Sequence, residues 1–365
     1  MKSVTTEQAT CSMKIPSRNP IEKFEYFSSK EKLGDIPIVD LRSPKEYVLG
    51  HIPGAVNIPL FSDDERHQVG WTYKQVGKLE AIQLGLELVA SKVDSFLEQL
   101  TKLSSEANQN LAIYCWRGGM RSNSVAKLLQ SVGVSVRILE GGYKGYRRNA
   151  LELLSQAEEK PFLVLMGRTG VGKTEFLRGA NKVASLDFEF YANHRGSVFG
   201  DLNQSSPLPS QQNFENRIVE DLHKCKNSRF ILVEIENYFG NVNLPKVLRE
   251  KMLSAPVVVL KRSLESRVEI ILQDYISDWS PELCEDVCKR IEKGLGRHFP
   301  VATIESLQKQ VRAKNLSVVV STLLDIRYDP LYDKKLKKHK NRILTEIDVT
   351  TGYSELDHFI ESYLG

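Results

Sequence analysis

Cys115 ends a short apolar run, Leu111 to Tyr114 (LAIY), and opens the string CWRGGMR just ahead of a helix-forming stretch that begins near Ser122. A loop between a strand end and a helix N-terminus turns successive main-chain N–H groups inward, and with the helix dipole it favours an anion at the cysteine sulfur. Gly118 and Gly119 let such a loop curl without Cβ clashes, while Arg117 and Arg121 add the positive charge that an activated thiolate or a bound persulfide needs. This pattern predicts a catalytic set of Cys115, Arg117 and Arg121; the competing reading is a cysteine buried in a core.

A second string, GRTGVGKT at Gly167 to Thr174, fulfils GxxxxGK[ST] after one apolar run and before a helix containing Phe176 and Leu177. In that context the glycines Gly167, Gly170 and Gly172 allow main-chain amides to wrap phosphate oxygens, Lys173 supplies a point charge, and Thr174 can reach a Mg²⁺ ion. The loop predicts a diphosphate or triphosphate ligand without saying which. An acidic partner for a metal is expected from the run Phe230 to Ile235, which delivers Glu234, with Glu236 pointing the same way by strand alternation. Both read either as metal or base residues or as solvated charges at a strand end.

These loops need elements to hold them. A chain of 365 residues allows two or three domains, each with its own core. Its 41% hydrophobic and 26% charged residues fit a globular enzyme. The longest apolar runs fall far short of the roughly 20 residues that span a bilayer, and no apolar stretch follows the N-terminus, so no membrane and a cytoplasmic location are expected. Five cysteines, at 11, 115, 225, 284 and 288, are too few and too odd for a disulfide framework. Cys284 and Cys288 share a helical spacing that suits either a metal or core packing, and their role stays open. The net charge of +4 is mild. Two local basic clusters stand out: Lys144, Arg147 and Arg148, and the run Lys334, Lys335, Lys337, Lys338, Lys340 and Arg342. Each reads as a phosphate-binding patch, with Lys337, Lys338 and Lys340 as candidate contacts, or as a solvated face.

The apolar runs Ile36 to Leu41, Leu111 to Tyr114 and Val136 to Leu139 read as buried strands, with a helix over Ser122 to Val132 and helical spacing over Lys74 to Leu103. Tyr143 to Ala157 is a charged helix former. The pattern then restarts with strands at Pro161 to Met166, Phe230 to Ile235 and Pro256 to Leu260. Beyond Ser280 it reads as helical, with one strand-like run at Leu316 to Val320 and a last helix at Glu355 to Leu364. The predicted fold class is α/β throughout, two parallel-sheet domains with a helical C-terminal part.

The segment DLRSPKEYVLGHIPGAVNIPL, Asp40 to Leu60, resembles the signature near the start of rhodanese domains, CWRGGMR resembles their CxxGxxR loop, and EGGYKGY at Glu140 to Tyr146 resembles their usual ending. The predicted organisation is therefore a rhodanese-like domain over 15–146, a connector helix over 147–160, a P-loop NTPase-like α/β domain over 161–275 and a mostly helical region over 276–365. Further strings are ERHQVGWTYKQVG at Glu65 to Gly77, ANHRGSVFG at Ala192 to Gly200, PSQQNFEN at Pro209 to Asn216 and YDPLY at Tyr328 to Tyr332. With both loops, they make the chain resemble the bacterial tRNA 2-selenouridine synthase family.

That resemblance implies conversion of wobble 2-thiouridine to 2-selenouridine in tRNAs for Lys, Glu and Gln, with selenophosphate as selenium donor and a first step using geranyl diphosphate. It implies that Cys115 holds or relays selenium, that the P-loop cradles the diphosphate, and that His194 and Arg195 of the HRG string meet nucleotide or diphosphate, unless they lie in a surface loop. A selenophosphate-supplying enzyme is an implied partner. Where the family reads two acidic residues followed by serine and arginine, this chain has Glu236-Asn237-Tyr238-Phe239, and the arginine that would contact phosphate is not at that position. The rival enzyme reading is a rhodanese-type sulfurtransferase with an attached nucleotide-binding P-loop domain. A regulatory RNA-binding protein with inactive loops is opposed by the intact Cys115, Lys173 and Thr174.

Overall fold

The computed structural model describes residues 21–179, 183–202, 207–235, 239–276 and 279–364. Cys11, Glu236, Asn237 and Tyr238, and the first residues of the expected 15–146 domain, lie outside the described residues. The chain divides into two compact units, one reaching to Val48 and resuming at Gly54–Tyr146, the other formed by Leu49–Pro53 and Arg147–Gly365.

The first unit is built on five strands, β1 (Glu22–Phe24), β2 (Ile38–Asp40), β3 (Val56–Asn57), β4 (Asn110–Tyr114) and β5 (Ser135–Leu139), in the order β1-β5-β4-β2-β3. All pairings are parallel, with Asp40 opposite Tyr114 and Ile113 opposite Ile138. Strands such as LAIY read as continuous apolar runs because helices cover both faces of a parallel sheet. Leu111 and Ile113 pack with Phe96 and Leu100 of the Val93–Ser105 helix and with Val125 and Leu129 of the Met120–Ser131 helix. The helical spacing over Lys74 to Leu103 resolves into parts of three helices, Asp63–Gln75, Lys78–Ala90 and Val93–Ser105. The first starts with a capping box in which Ser62 and Glu65 satisfy each other's main-chain N–H. Because β4 sits mid-sheet, the residue after Tyr114 emerges at the carboxyl edge, where open α/β sheets place their ligands.

The second unit repeats the scheme. Strands β6 (Phe162–Gly167), β7 (Ser185–Leu186), β8 (Ile231–Glu234), β9 (Val257–Lys261) and β10 (Ile343–Asp348) form a parallel sheet in the order β10-β9-β6-β8-β7. Here β6 is central, so the P-loop follows the middle strand. β10 is not foreshadowed by the sequence pattern: it is an edge strand directly behind the basic run, and of its six residues only Ile347 is buried. A separate helical cluster packs Leu283, Val287 and Ile291 of the Pro281–Leu295 helix against Ile304 and Leu307 of the Val301–Arg312 helix.

The run Leu316 to Val320, expected as a strand, is the opening of a helix, Leu316–Leu323. Its β-branched residues favour a strand locally. Val319 and Leu323, four apart, instead bury one helical face among Val287, Ile291 and Leu307, and that packing outweighs a propensity difference of roughly 0.5 kcal/mol per residue. No described helix is long and apolar enough to cross a membrane.

Candidate active sites

The first site is the loop after β4. Cys115 is 3% exposed, and the loop is closed from behind by the start of the Gly142–Gln156 helix. There the Tyr143 N–H donates to the Cys115 carbonyl at 2.9 Å and the Lys144 N–H to the Trp116 carbonyl at 3.0 Å. Gly142 makes this closure possible: its φ is +59°, and a Cβ there would stand 2.3 Å from the Cys115 carbonyl oxygen. Beneath the loop, Arg42 and Asp40 form a buried, doubly hydrogen-bonded pair with Nη2–Oδ2 at 2.6 Å and Nε–Oδ1 at 3.0 Å, as their spacing at a strand end suggests. The Arg42 guanidinium lies 3.9 Å from the centre of the Tyr143 ring, so the pair fixes the residue that closes the loop.

Burial pushes the Cys115 thiol up. The Ser122 hydroxyl beside the sulfur, the charge of Arg121 and the main-chain N–H groups of Ser122 and Arg117 outweigh burial and hold the thiol below the usual thiol range. Arg121 therefore acts through charge, although it also meets Glu46 at 3.2 Å. Arg117 acts through its backbone, and its side chain is exposed.

The second site is the loop between β6 and the Lys173–Gly179 helix. Lys173 Nζ donates to the Gly167 carbonyl at 3.0 Å. The Thr174 hydroxyl lies 3.2 Å from Glu234 Oε1 and 3.3 Å from Glu189 Oε2, and Glu234 is buried. One hydroxyl with two carboxylates is a hard-oxygen donor set of the type that suits Mg²⁺, while no group of three or more His, Cys, Asp or Glu side chains is placed to hold a metal ion among the described residues. Gly172, at φ +93°, is covered by Tyr353, whose hydroxyl stands 2.9 Å from the Gly172 carbonyl and 2.7 Å from Glu175 Oε2. The loop opens into a cavity of about 1350 Å³ whose cationic lining includes Arg178, Arg195, Arg262, Lys334, Lys335 and Lys338. A second cavity, about 80 Å³, is lined by Phe199, Trp279, Val319 and Leu323 and shares Thr169, Ser197, Ile271, Tyr275 and Tyr328 with the first.

A family model described as the tRNA 2-selenouridine synthase AAA domain matches residues 160–298, and one described as the rhodanese-like domain matches residues 25–149. The tRNA 2-selenouridine synthase of Shewanella denitrificans (strain OS217) is 34% identical over 348 residues, covering 88% of this chain and 94% of its own. That of Sulfurovum sp. (strain NBC37-1) is 34% identical over 359 residues, covering 91% and 96%. The chain belongs to the tRNA 2-selenouridine synthase family. The Pseudomonas syringae pv. syringae (strain B728a) relative is 39% identical over 268 residues, 72% of each chain. A crystal structure of the N-terminal domain of a Clostridium difficile 630 protein is 43% identical and covers 36% of this chain and 99% of its own, with a TM-score of 0.34.

In this member of the selenouridine synthase family, the structure separates the sequence-predicted residues into those it gathers and those it does not. Gly167, Gly170, Gly172, Lys173, Thr174, Glu234 and Arg195 line the P-loop cavity. His194 does not: its ring is buried, with Gly200 and Gly240 packed against it, and the Gly196 N–H donates to its Nδ1 at 3.1 Å. Of Lys337, Lys338 and Lys340, only Lys338 lines the cavity. The other two are exposed. Arg342, in the same basic run, donates to the Met252 and Ala255 carbonyls and so holds the fold. Arg147 is paired with Glu215 at 2.6 Å and Asn216 at 2.5 Å, whereas Lys144 and Arg148 are exposed. Cys288 is buried in the helical core, with Cys284 packed against that cluster.

Sequence reasoning missed Glu189, Arg262, Asp274 and Tyr353. Partial desolvation by its neighbours pushes the Asp274 carboxyl up, against the pull of Arg195 and Arg178, and this exposed side chain too lines the P-loop cavity. None of the four belongs to a spaced motif with the P-loop; Glu189, three residues ahead of the matched string ANHRGSVFG, had the best available signal.

Proposed function

We propose that this chain converts wobble 2-thiouridine of tRNA to 2-selenouridine in two steps, S-geranylation with geranyl diphosphate at the P-loop and replacement of the alkylated sulfur by selenium from selenophosphate. The observation that carries the reading is a pair of neighbouring cavities: a P-loop cradle with cationic walls, sharing five lining residues with a smaller space lined mainly by apolar side chains. An anionic head joined to a hydrocarbon tail suits that pairing better than a nucleoside triphosphate does.

The chemistry divides between the two sites. The thiocarbonyl sulfur attacks the allylic carbon of the geranyl group as its C–O bond breaks, and the developing charge on the diphosphate is met by the P-loop amides, Lys173 and the arginines of the cavity. Glu234, Glu189 and Thr174 would hold Mg²⁺, which supplies further positive charge there. Alkylation turns a poor leaving group into a thiolate that selenium can expel from the ring carbon as geranylthiol. The selenophosphate selenium, already at the selenide level, attacks that carbon as geranylthiolate leaves and water takes the phosphoryl group from its P–Se bond, while Cys115, kept ionisable by Ser122, Arg121 and two main-chain N–H groups, holds the selenium donor at the loop. Wobble-thiolated tRNAs for Lys, Glu and Gln are the expected substrates.

The deciding test incubates the purified protein and thiolated tRNA with geranyl diphosphate alone, then with selenophosphate, and identifies the nucleosides by mass spectrometry. S-geranyl-2-thiouridine in the first reaction and 2-selenouridine in the second are expected. Thiosulfate:cyanide sulfur transfer with ATP hydrolysis, and no alkylated nucleoside, would replace this reading by the nucleotide-binding sulfurtransferase.

A further inference from the structure

At the mouth of the Cys115 loop the chain leaves part of a large aromatic side chain open to solvent: Cys115 is 3% exposed, and Trp116, the next residue, is 38% exposed. Two contacts hold Trp116 in place. Its carbonyl accepts the Lys144 N–H at 3.0 Å, and its indole leans at 41° against the Tyr143 ring with centroids 6.1 Å apart. Tyr143 belongs to a buried column, stacked on Tyr114 at 6.3 Å and on Tyr146 at 5.9 Å, and the Arg42 guanidinium backs it. Arg117 and Lys144, beside Trp116 on the same loop closure, are exposed cations.

A site serving only small anions would gain nothing from an anchored indole with an open face, because a side chain of this size normally contributes through burial. Unstacked RNA bases, by contrast, are recognised by stacking on aromatic side chains, with neighbouring cations on the phosphates. A recessed sulfur adds a geometric demand: the reacting ring carbon has to be brought to the loop, so the base must leave its stack and lie on something flat. Protein-docking patches are depleted of charge at their centre, whereas this aromatic stands between an arginine and a lysine.

We propose that Trp116 is the stacking platform on which an unstacked RNA base lies while its ring carbon meets the Cys115 loop. The inference rests on tRNA being the substrate and adds the residue that holds the base.

The test uses the full-length protein and an anticodon stem-loop RNA carrying 5-iodouridine at the wobble position, with the photo-crosslinked peptide mapped by mass spectrometry. The crosslink is expected on Trp116. In parallel, Trp116→Ala should weaken binding of the 2-thiouridine stem-loop by roughly 5- to 150-fold, raising the KM for RNA more than it lowers kcat. Trp116→Phe should regain most of the affinity, which a fault in folding would not allow. A crosslink elsewhere, together with wild-type affinity in Trp116→Ala, overturns the platform and leaves the tRNA reading standing. Unchanged RNA affinity with impaired docking of a selenium-supplying protein assigns the rim to that protein and also overturns it. A wild-type chain that neither binds nor converts thiolated tRNA removes both.

Discussion

Around Cys115 two opposing effects act on one atom. Burial disfavours the thiolate, while Ser122, Arg121 and two main-chain N–H groups favour it and prevail. The sign follows directly: with the ionised form stabilised, alkylation of Cys115 by iodoacetamide should rise through a midpoint below that of an unperturbed cysteine. Arg121→Met removes a favourable charge and should move that midpoint up, whereas Arg117→Met should leave it in place, because Arg117 acts through its main chain. The pH profile of the modified peptide measures both. At the other site Lys173→Ala should lower geranylation by about 10²- to 10³-fold, the usual cost of removing one donor to a developing anion, and Cys115→Ser should stop selenium incorporation while geranylation continues. Nucleoside mass spectrometry separates the two defects, and normal geranylation by the lysine variant would remove the P-loop from the diphosphate site.

At the scale of elements, the rhodanese-like loop depends on a helix start that is not part of its motif. Gly142→Ala asks for a left-handed backbone with a side chain and drives its Cβ into the Cys115 carbonyl, so it should cost more than ~1 kcal/mol, seen as a fall of roughly 4 °C or more in Tm, with loss of Cys115 reactivity. The Asp329–His339 helix offers a second case. Its side chains Lys334, Lys335 and Lys338 line the P-loop cavity, and the helix is tied to the P-loop by Arg168, which meets Asp329 at 3.3 Å and Asp333 at 3.0 Å. Lys334→Ala with Lys338→Ala should therefore weaken geranyl diphosphate binding. Lys337→Ala with Lys340→Ala should leave it intact and flatten the salt dependence of tRNA binding by about one unit for each phosphate no longer neutralised. Calorimetry with the diphosphate and tRNA binding at several salt concentrations check the pair, and an unchanged salt slope would return Lys337 and Lys340 to a solvated face.

Across the whole molecule, each unit has its own parallel sheet, its own core and its own candidate site, so the two proposed steps should be separable. A mixture of the Cys115→Ser and Lys173→Ala proteins should make 2-selenouridine although neither variant does so alone, since S-geranyl tRNA released by the first can be taken up by the second. Absence of product from the mixture, with each variant performing its own half-reaction, would show that the intermediate does not pass through solution. The net charge of +4 over 365 residues gives little general attraction for RNA, and the binding groups have to be local.

The sequence alone determined both loops, because a strand end, a curled loop and a helix start are contiguous and their chemistry rests on neighbouring residues such as Cys115 to Arg121 and Gly167 to Thr174. It also determined the α/β class, since buried parallel strands leave uninterrupted apolar runs. Tertiary structure decided the rest. Glu189 reaches Thr174, Tyr353 covers Gly172, and Lys334 and Lys338 face the P-loop while Lys337 does not; these follow from a sheet order of β10-β9-β6-β8-β7, in which sequence-distant strands bring their ends together. The helix at Leu316–Leu323 was decided in the same way, by a core that buries residues four apart and overrides the local preference of valine. Local pattern records which face of a segment is apolar, and only packing selects which distant segment that face meets.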